Sequence, residues 1–231
     1  MPPPEARAET CGVRRIALAA LLSCLLFPAL ALAGSGEPRV HLVAADQRVA
    51  RVGLVRLADL NPDYVVDRTH MANVFIPRCP GSYAPDRSDL TVTGTARSSF
   101  RNASSWIASN AAVYRSDREA AAWWDRVVNR ALATCSGRML VRYPPKGMRG
   151  RLLSVRALRV HGLDVADRSA GYRIAMRFTN ARGSMLMYRD LIFTMKSRAI
   201  SSVGVASLVH PCGCGMGLAQ TVVVRLIHAR Y

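Results

Sequence analysis

The stretch Ser109–Gly137, SNAAVYRSDREAAAWWDRVVNRALATCSG, carries the strongest local signals in this 231-residue chain. Ser116 followed by Glu119 has the form of a capping box: the serine hydroxyl accepts from the Glu119 N–H, and the glutamate reaches back to the Ser116 N–H. Asp117 and Glu119 add negative charge to the first turn, where the helix dipole favours it. Ala120, Trp124, Val127, Val128, Ala131 and Cys135 recur at three- and four-residue steps and make one apolar stripe. The spacing predicts one helix over 116–136, closed by Gly137 as a C-terminal cap. Trp106 to Tyr114 before it reads as a strand.

On the C-terminal side of that helix the pattern changes to period two. Arg151–Val160 reads as a strand. Tyr172, Ile174, Met176 and Phe178 alternate with Arg173, Ala175, Arg177 and Thr179. A turn at Asn180–Ser184, with Gly183, leads into Met185–Ser197, and Ala199–Val209 follows. These four runs predict an antiparallel meander with one face on the core. A last helix is expected near 218–229. On the N-terminal side, Leu90–Phe100 reads as a strand in which Gly94 marks a bulge or a close approach. Gly34–Arg51 has no strong period, and Leu54–Leu60 is a short helical or irregular segment. Prolines 77, 80 and 85 make a loop around Cys79. The whole is an α+β domain, a sheet packed with the central and C-terminal helices.

The first 33 residues read as a signal peptide: Arg14 and Arg15, an apolar run from Ile16 to Leu32, and Ala31-Leu32-Ala33 before Gly34. Residues 34–231 then form a single exported domain, located in the cell envelope or secreted. Leu21-Leu22-Ser23-Cys24 offers a rival lipobox, in which Cys24 is acylated. Membrane attachment is expected only in that case or if the leader stays uncleaved. Without the leader, 29 basic against 13 acidic residues leave a charge of +16, against +17 for the full chain. Lys146 and Lys196 are the only lysines. This arginine excess fits either a GC-rich genome or an anionic envelope partner, polymer or lipid headgroup, drawn by the net field. Arg156, Arg159, Arg173 and Arg177 are the candidate anion-binding residues. No basic run, aromatic ribonucleoprotein pattern or zinc-finger spacing points to nucleic acid.

Cys79, Cys135, Cys212 and Cys214 remain after the leader, an even count that in an exported chain suggests disulfides. A bridge from Cys212 to Cys214 closes a ring over one residue and strains the bond. The favoured pairings therefore join Cys212 and Cys214 to Cys79 and Cys135, in either order. The alternative pairs Cys212 with Cys214 and Cys79 with Cys135, and implies a relatively oxidising bridge and thiol–disulfide exchange. His210, Cys212 and Cys214 are soft enough for copper or zinc, but no second motif completes a tetrahedral set. Gly213, Gly215 and Gly217 lack the lysine and serine of a phosphate loop and fit flexible caps around the cysteines. No nucleophile elbow is present, the histidines are scattered, and Trp123 and Trp124 read as core. No cofactor is expected.

The order of a leader, RLADL at 56–60, a proline-flanked cysteine, IASNAAVYRSDREAAAWWDRVVNRALATC at 107–135, a meander and a final helix resembles the PknH-like extracellular sensor domains of actinobacterial secreted proteins and lipoproteins. The resemblance covers the order of elements over most of 54–230. It implies a disulfide-stabilised α+β fold with a ligand cleft, and no catalytic residues to carry over. Cys79 and Cys135 fit that framework; the Cys212–Cys214 pair departs from it. The expectation is a non-catalytic exported binding or sensor-like domain for a cell-envelope ligand. The alternatives are an envelope thiol–disulfide or hydrolytic enzyme and a structural envelope component.

Overall fold

Ser116 caps its helix by accepting from the Glu119 N–H at 3.2 Å. The reciprocal half of the box is absent. Glu119 is drawn away to the Thr91 N–H (2.9 Å) and to the Arg115 guanidinium. The helix also ends early. In the computed structural model, which describes residues 36–68, 76–144, 148–159, 166–208 and 210–229, α2 runs Asp117–Val127 and α3 runs Arg130–Arg142. Asn129 starts the second helix, its side chain accepting from the Leu132 N–H at 3.1 Å. Two β-branched residues, Val127 and Val128, followed by a strong cap residue favour that break over a continuous helix. Gly137 is consequently inside α3 and not its cap. A Cβ there would lie 2.7 Å from Leu152 Cδ1 and 2.9 Å from Ile174 Cγ2, so glycine permits close seating of α3 on the sheet.

Strands β3 (Thr91–Arg101) and β4 (Ser105–Tyr114) precede α2. The meander β5 (Arg149–Leu158), β6 (Arg168–Asn180), β7 (Gly183–Lys196) and β8 (Ala199–Leu208) follows α3. Two short strands, β1 (Arg39–Val40) and β2 (Val65–Val66), join β3. The result is an open mixed sheet of eight strands in an α+β fold, in the order β1-β3-β4-β8-β7-β6-β5 with β2 also on β3. The meander is as the alternation predicts, and the β6–β7 turn falls at Asn180–Gly183. The linker residues 160–165 lie outside the described residues.

Both faces of the sheet are covered, not one. Helix α1 (Ala44–Val52) and helix α4 (Cys214–His228) pack on one side, burying Val49, Ile107, Val113, Val205, Val222 and Leu226. Helices α2 and α3 pack on the other, with Trp123, Trp124, Leu132, Ile174, Met176 and Phe193. Helix α1 lies in the stretch 34–51 that shows no strong period. Its seat is Gly94, at a bulge in β3, where a Cβ would stand 2.3 Å from the Asp46 carbonyl oxygen. Helix α4 begins four residues before the expected start. Gly215 and Gly217 are therefore helical and not flexible caps, and a Cβ on Gly215 would meet Ile192 and Val205 at 3.1 and 3.2 Å.

The cysteines pair as Cys79–Cys135 and Cys212–Cys214. The crosswise pairing favoured by spacing is not formed, because the sheet separates the two pairs. Cys79 and Cys135 belong to the α2/α3 side, and Cys212 and Cys214 to the α1/α4 side. The first bridge fixes the proline-rich loop to α3. Tyr83 in that loop donates to the Val127 carbonyl at 2.9 Å, and burial raises its pKa.

Candidate functional site

The sheet is uneven in its cover. On the α1/α4 side the helices lie over β3, β4, β8 and β7. Strands β5 and β6 receive their helix, α3, on the opposite side, where Ile174, Met176 and Phe178 are buried. Residues of β6 that alternate with those three face the α1/α4 side: Arg173, Ala175 and Arg177. Register carries the assignment across, since Arg173 is opposite Asp190, and Asp190 is opposite the core residue Val205.

On β5 the opposite positions are also arginines. Arg151 pairs with Arg177 and Arg156 with Arg173, with a bulge between Leu152 and Ser154 that keeps Arg151 and Arg156 on one face. Arg149, opposite Thr179, extends the row. Neighbouring strands lie about 4.8 Å apart and alternate residues about 6.8 Å apart, so five guanidinium groups share a small area. Arg149, Arg151, Arg156 and Arg177 are exposed. Among the described residues none of these four is ion-paired with a carboxylate. Like charges directly opposite each other destabilise a sheet; a bound anion relieves that repulsion.

Arg173 differs from its neighbours. Its Nε and one terminal nitrogen donate to the two carboxylate oxygens of Asp190, each at 2.7 Å. The hydrogen bonds to Asp190 raise its pKa, and its charge is already balanced within the fold. Arg159 is exposed and stands past the end of β5, outside the row. Of the four arginines expected from sequence, Arg156 and Arg177 contribute open charge to one face, Arg173 is neutralised there, and Arg159 is elsewhere. Arg149 and Arg151 complete the face. Pairwise register is what identifies them, and register is not visible before the bulge at Leu152–Ser154 is known.

A second feature, on the α2/α3 side, has no sequence signal. Arg189 lines a cavity of about 30 Å³ together with Ala108, Leu132, Ser136, Ser202 and Gly204, room for about one or two waters. Burial pushes the pKa of this guanidinium down. Ser202 also lines an adjoining cleft of about 290 Å³ that contains Arg97, Tyr114 and Trp123. The cleft is a shallow continuation of the core surface between β3, β4 and α2. The trio His210, Cys212 and Cys214 is not available as a soft metal set, because both sulfurs are spent in their disulfide.

No protein-family model matches this chain, and no curated protein is similar to it. Among solved structures the chain is similar to an uncharacterized protein from Mycobacterium smegmatis, an Rv0999 ortholog. That likeness has 14% identity and a TM-score of 0.43, over 78% of this chain and 97% of that one. It is also similar to the extracellular domain of PknH from Mycobacterium tuberculosis, with 11% identity and a TM-score of 0.41, over 81% of this chain and 98% of that one. At these values the likeness assigns the chain neither a family nor a ligand.

Proposed function

We propose that this chain is an exported binding domain whose ligand, an anionic molecule of the cell envelope, is held without catalysis on the open β5–β6 face. The observation that carries this reading is the row Arg149, Arg151, Arg156 and Arg177, exposed, on one sheet face and without carboxylate partners among the described residues. Leu153, which is also exposed, adds an apolar element beside it. Arginine forks bind phosphate and carboxylate oxygens in pairs, so phosphodiester or carboxylate groups spaced along a polymer or a headgroup layer match the row. The leader pattern and the disulfides are consistent with an extracytoplasmic location.

The test is titration of the protein against vesicles of anionic phospholipid, vesicles of neutral phospholipid, and a soluble carboxylated or phosphorylated polymer, at low and high salt. Binding to at least one anionic probe, lost at high salt and in the double variant Arg156→Glu/Arg177→Glu, supports the reading. The vesicle and polymer arms tell the two sources of anion apart. Equal binding to neutral vesicles, or anion binding unchanged in the double variant, refutes it.

A further inference from the structure

The two disulfides differ in what they contribute. Cys79 and Cys135 are 56 residues apart in sequence, and Cys135 is buried in the core. A link of that span removes much freedom from the unfolded chain, whereas a link between residues two apart, such as Cys212 and Cys214, removes very little. Stability therefore gives no account of the second bridge.

Its surroundings suit chemistry instead. Cys214 is the first residue of α4, Gly213 is its cap, and Gly213 is exposed while both cysteines are half-buried. The Cys214 N–H donates to Cys212 Sγ at 3.3 Å. On reduction the same hydrogen bond, together with the positive end of α4, favours a thiolate at Cys212. The turn is held in place before the helix: the Cys212 N–H donates to Ser207 Oγ at 3.2 Å, and that hydroxyl donates to the His210 carbonyl at 2.8 Å. Beside the bridge is an open cleft of about 350 Å³, with Asn61, Tyr64, Ile107, Leu218 and both cysteines in its walls. Asp59, its one carboxylate among the described residues, is ion-paired with Arg225. A mixed apolar and amide-bearing cleft of this size takes a short segment of polypeptide.

We propose that Cys212–Cys214 is a redox-active disulfide that accepts two electrons from the dithiol of a client protein, seated by a short segment in this cleft. A client thiolate attacks Cys212 Sγ. The Cys212–Cys214 bond breaks, a client–Cys212 mixed disulfide forms, and Cys214 leaves as a thiolate that takes up a proton. The second client thiolate attacks the client sulfur of the mixed disulfide. The client disulfide forms, and Cys212 leaves as a thiolate stabilised by the Cys214 N–H. The client loses two electrons and two protons; Cys212 and Cys214 gain the electrons. A further round requires a second disulfide, of a protein or of a low-molecular-weight thiol, to reoxidise the pair.

The experiment is a redox titration of the full exported chain in glutathione buffers, with each cysteine read by differential alkylation and mass spectrometry. Cys212 and Cys214 are expected to reduce together while Cys79 and Cys135 stay oxidised, and at least about tenfold faster with dithiothreitol. The wild-type protein is also mixed with a reduced dithiol peptide, which it should convert to the disulfide at one equivalent per chain. Cys212→Ser/Cys214→Ser should lose this transfer. A Cys212–Cys214 bridge that resists reduction as long as Cys79–Cys135 overturns the proposal, as does crosswise pairing in the native protein. Peptide oxidation that persists in the double variant also overturns it. The wild-type titration decides the matter even if the double variant does not fold.

Discussion

At the scale of single residues, one contact that ties distant parts of the chain is Asp46 with Arg198. The guanidinium donates to Oδ1 at 2.9 Å and to Oδ2 at 3.1 Å, and also to the Tyr114 carbonyl at 3.2 Å. Burial alone would raise the Asp46 pKa, but hydrogen bonds from Thr93 and Arg198 outweigh it and hold the carboxyl below its ordinary value. A carboxylate with a depressed folded pKa contributes stability above its unfolded value, about pH 4, and loses it as pH falls through the folded value. Arg198→Met should therefore cost about 1–3 kcal/mol at pH 7, since it leaves a largely buried carboxylate short of donors. The difference from wild type should shrink as pH falls below about 4 and vanish only below the depressed folded value, where Asp46 is protonated in both proteins. Urea denaturation at pH 7 and pH 3 measures both points; a difference that stays constant with pH would show that the ion pair is not the cause. Nothing local predicts this contact, because its partners are 152 residues apart and each is one of many charged residues in the chain.

Among the elements, those with a strong period were legible and those governed by a close approach were not. Strand β6 shows its alternation because one face is core and the other bears arginine and threonine. Helix α1 is amphipathic, with Asp46, Val49 and Ala50 buried, but it is short, and its seat on the sheet depends on Gly94, a residue of another element. The break between α2 and α3 was signalled by Asn129, yet an apolar stripe that runs through it concealed the signal. The candidate site follows the same division. Arg156 and Arg177 are legible as charged residues on strands, while their shared face depends on the β5 bulge and on where α3 packs. That arrangement has a measurable consequence for the sheet itself. Arg151 is directly opposite Arg177, and like charges so placed destabilise, so Arg177→Gln should raise stability by about 0.2–1 kcal/mol at low salt. The gain should fall as salt screens the repulsion, and the same variant should bind an anionic probe more weakly than wild type. A stability gain independent of salt would remove charge repulsion as its source.

For the molecule as a whole, one sheet serves two cores. Ile192, Val203 and Val205 supply the α1/α4 side, while Leu191, Phe193 and Ile200 on the same two strands supply the other. The alternation along the meander predicts a single buried face; that holds for β5 and β6 but not for β7 and β8, which bury residues on both faces. A shared sheet with alternate residues committed to opposite layers couples the layers: loosening β7 or β8 on one side exposes the other. Leu226 on α4 and Leu132 on α3 sit in opposite layers, with 0% and 2% exposure. Leu226→Ala and Leu132→Ala should each cost about 2–5 kcal/mol, lower the urea midpoint, and leave the slope m unchanged. Far-ultraviolet circular dichroism follows both layers, while fluorescence is weighted toward the α2/α3 side, where Trp123 and Trp124 are buried. If the sheet makes one cooperative unit, the two signals coincide in the wild type and in both variants. If Leu226→Ala moves the dichroism transition ahead of the fluorescence transition, the α1/α4 layer unfolds separately. The open arginine face would then lie on the less stable side of the molecule, next to strands whose own order depends on α2 and α3.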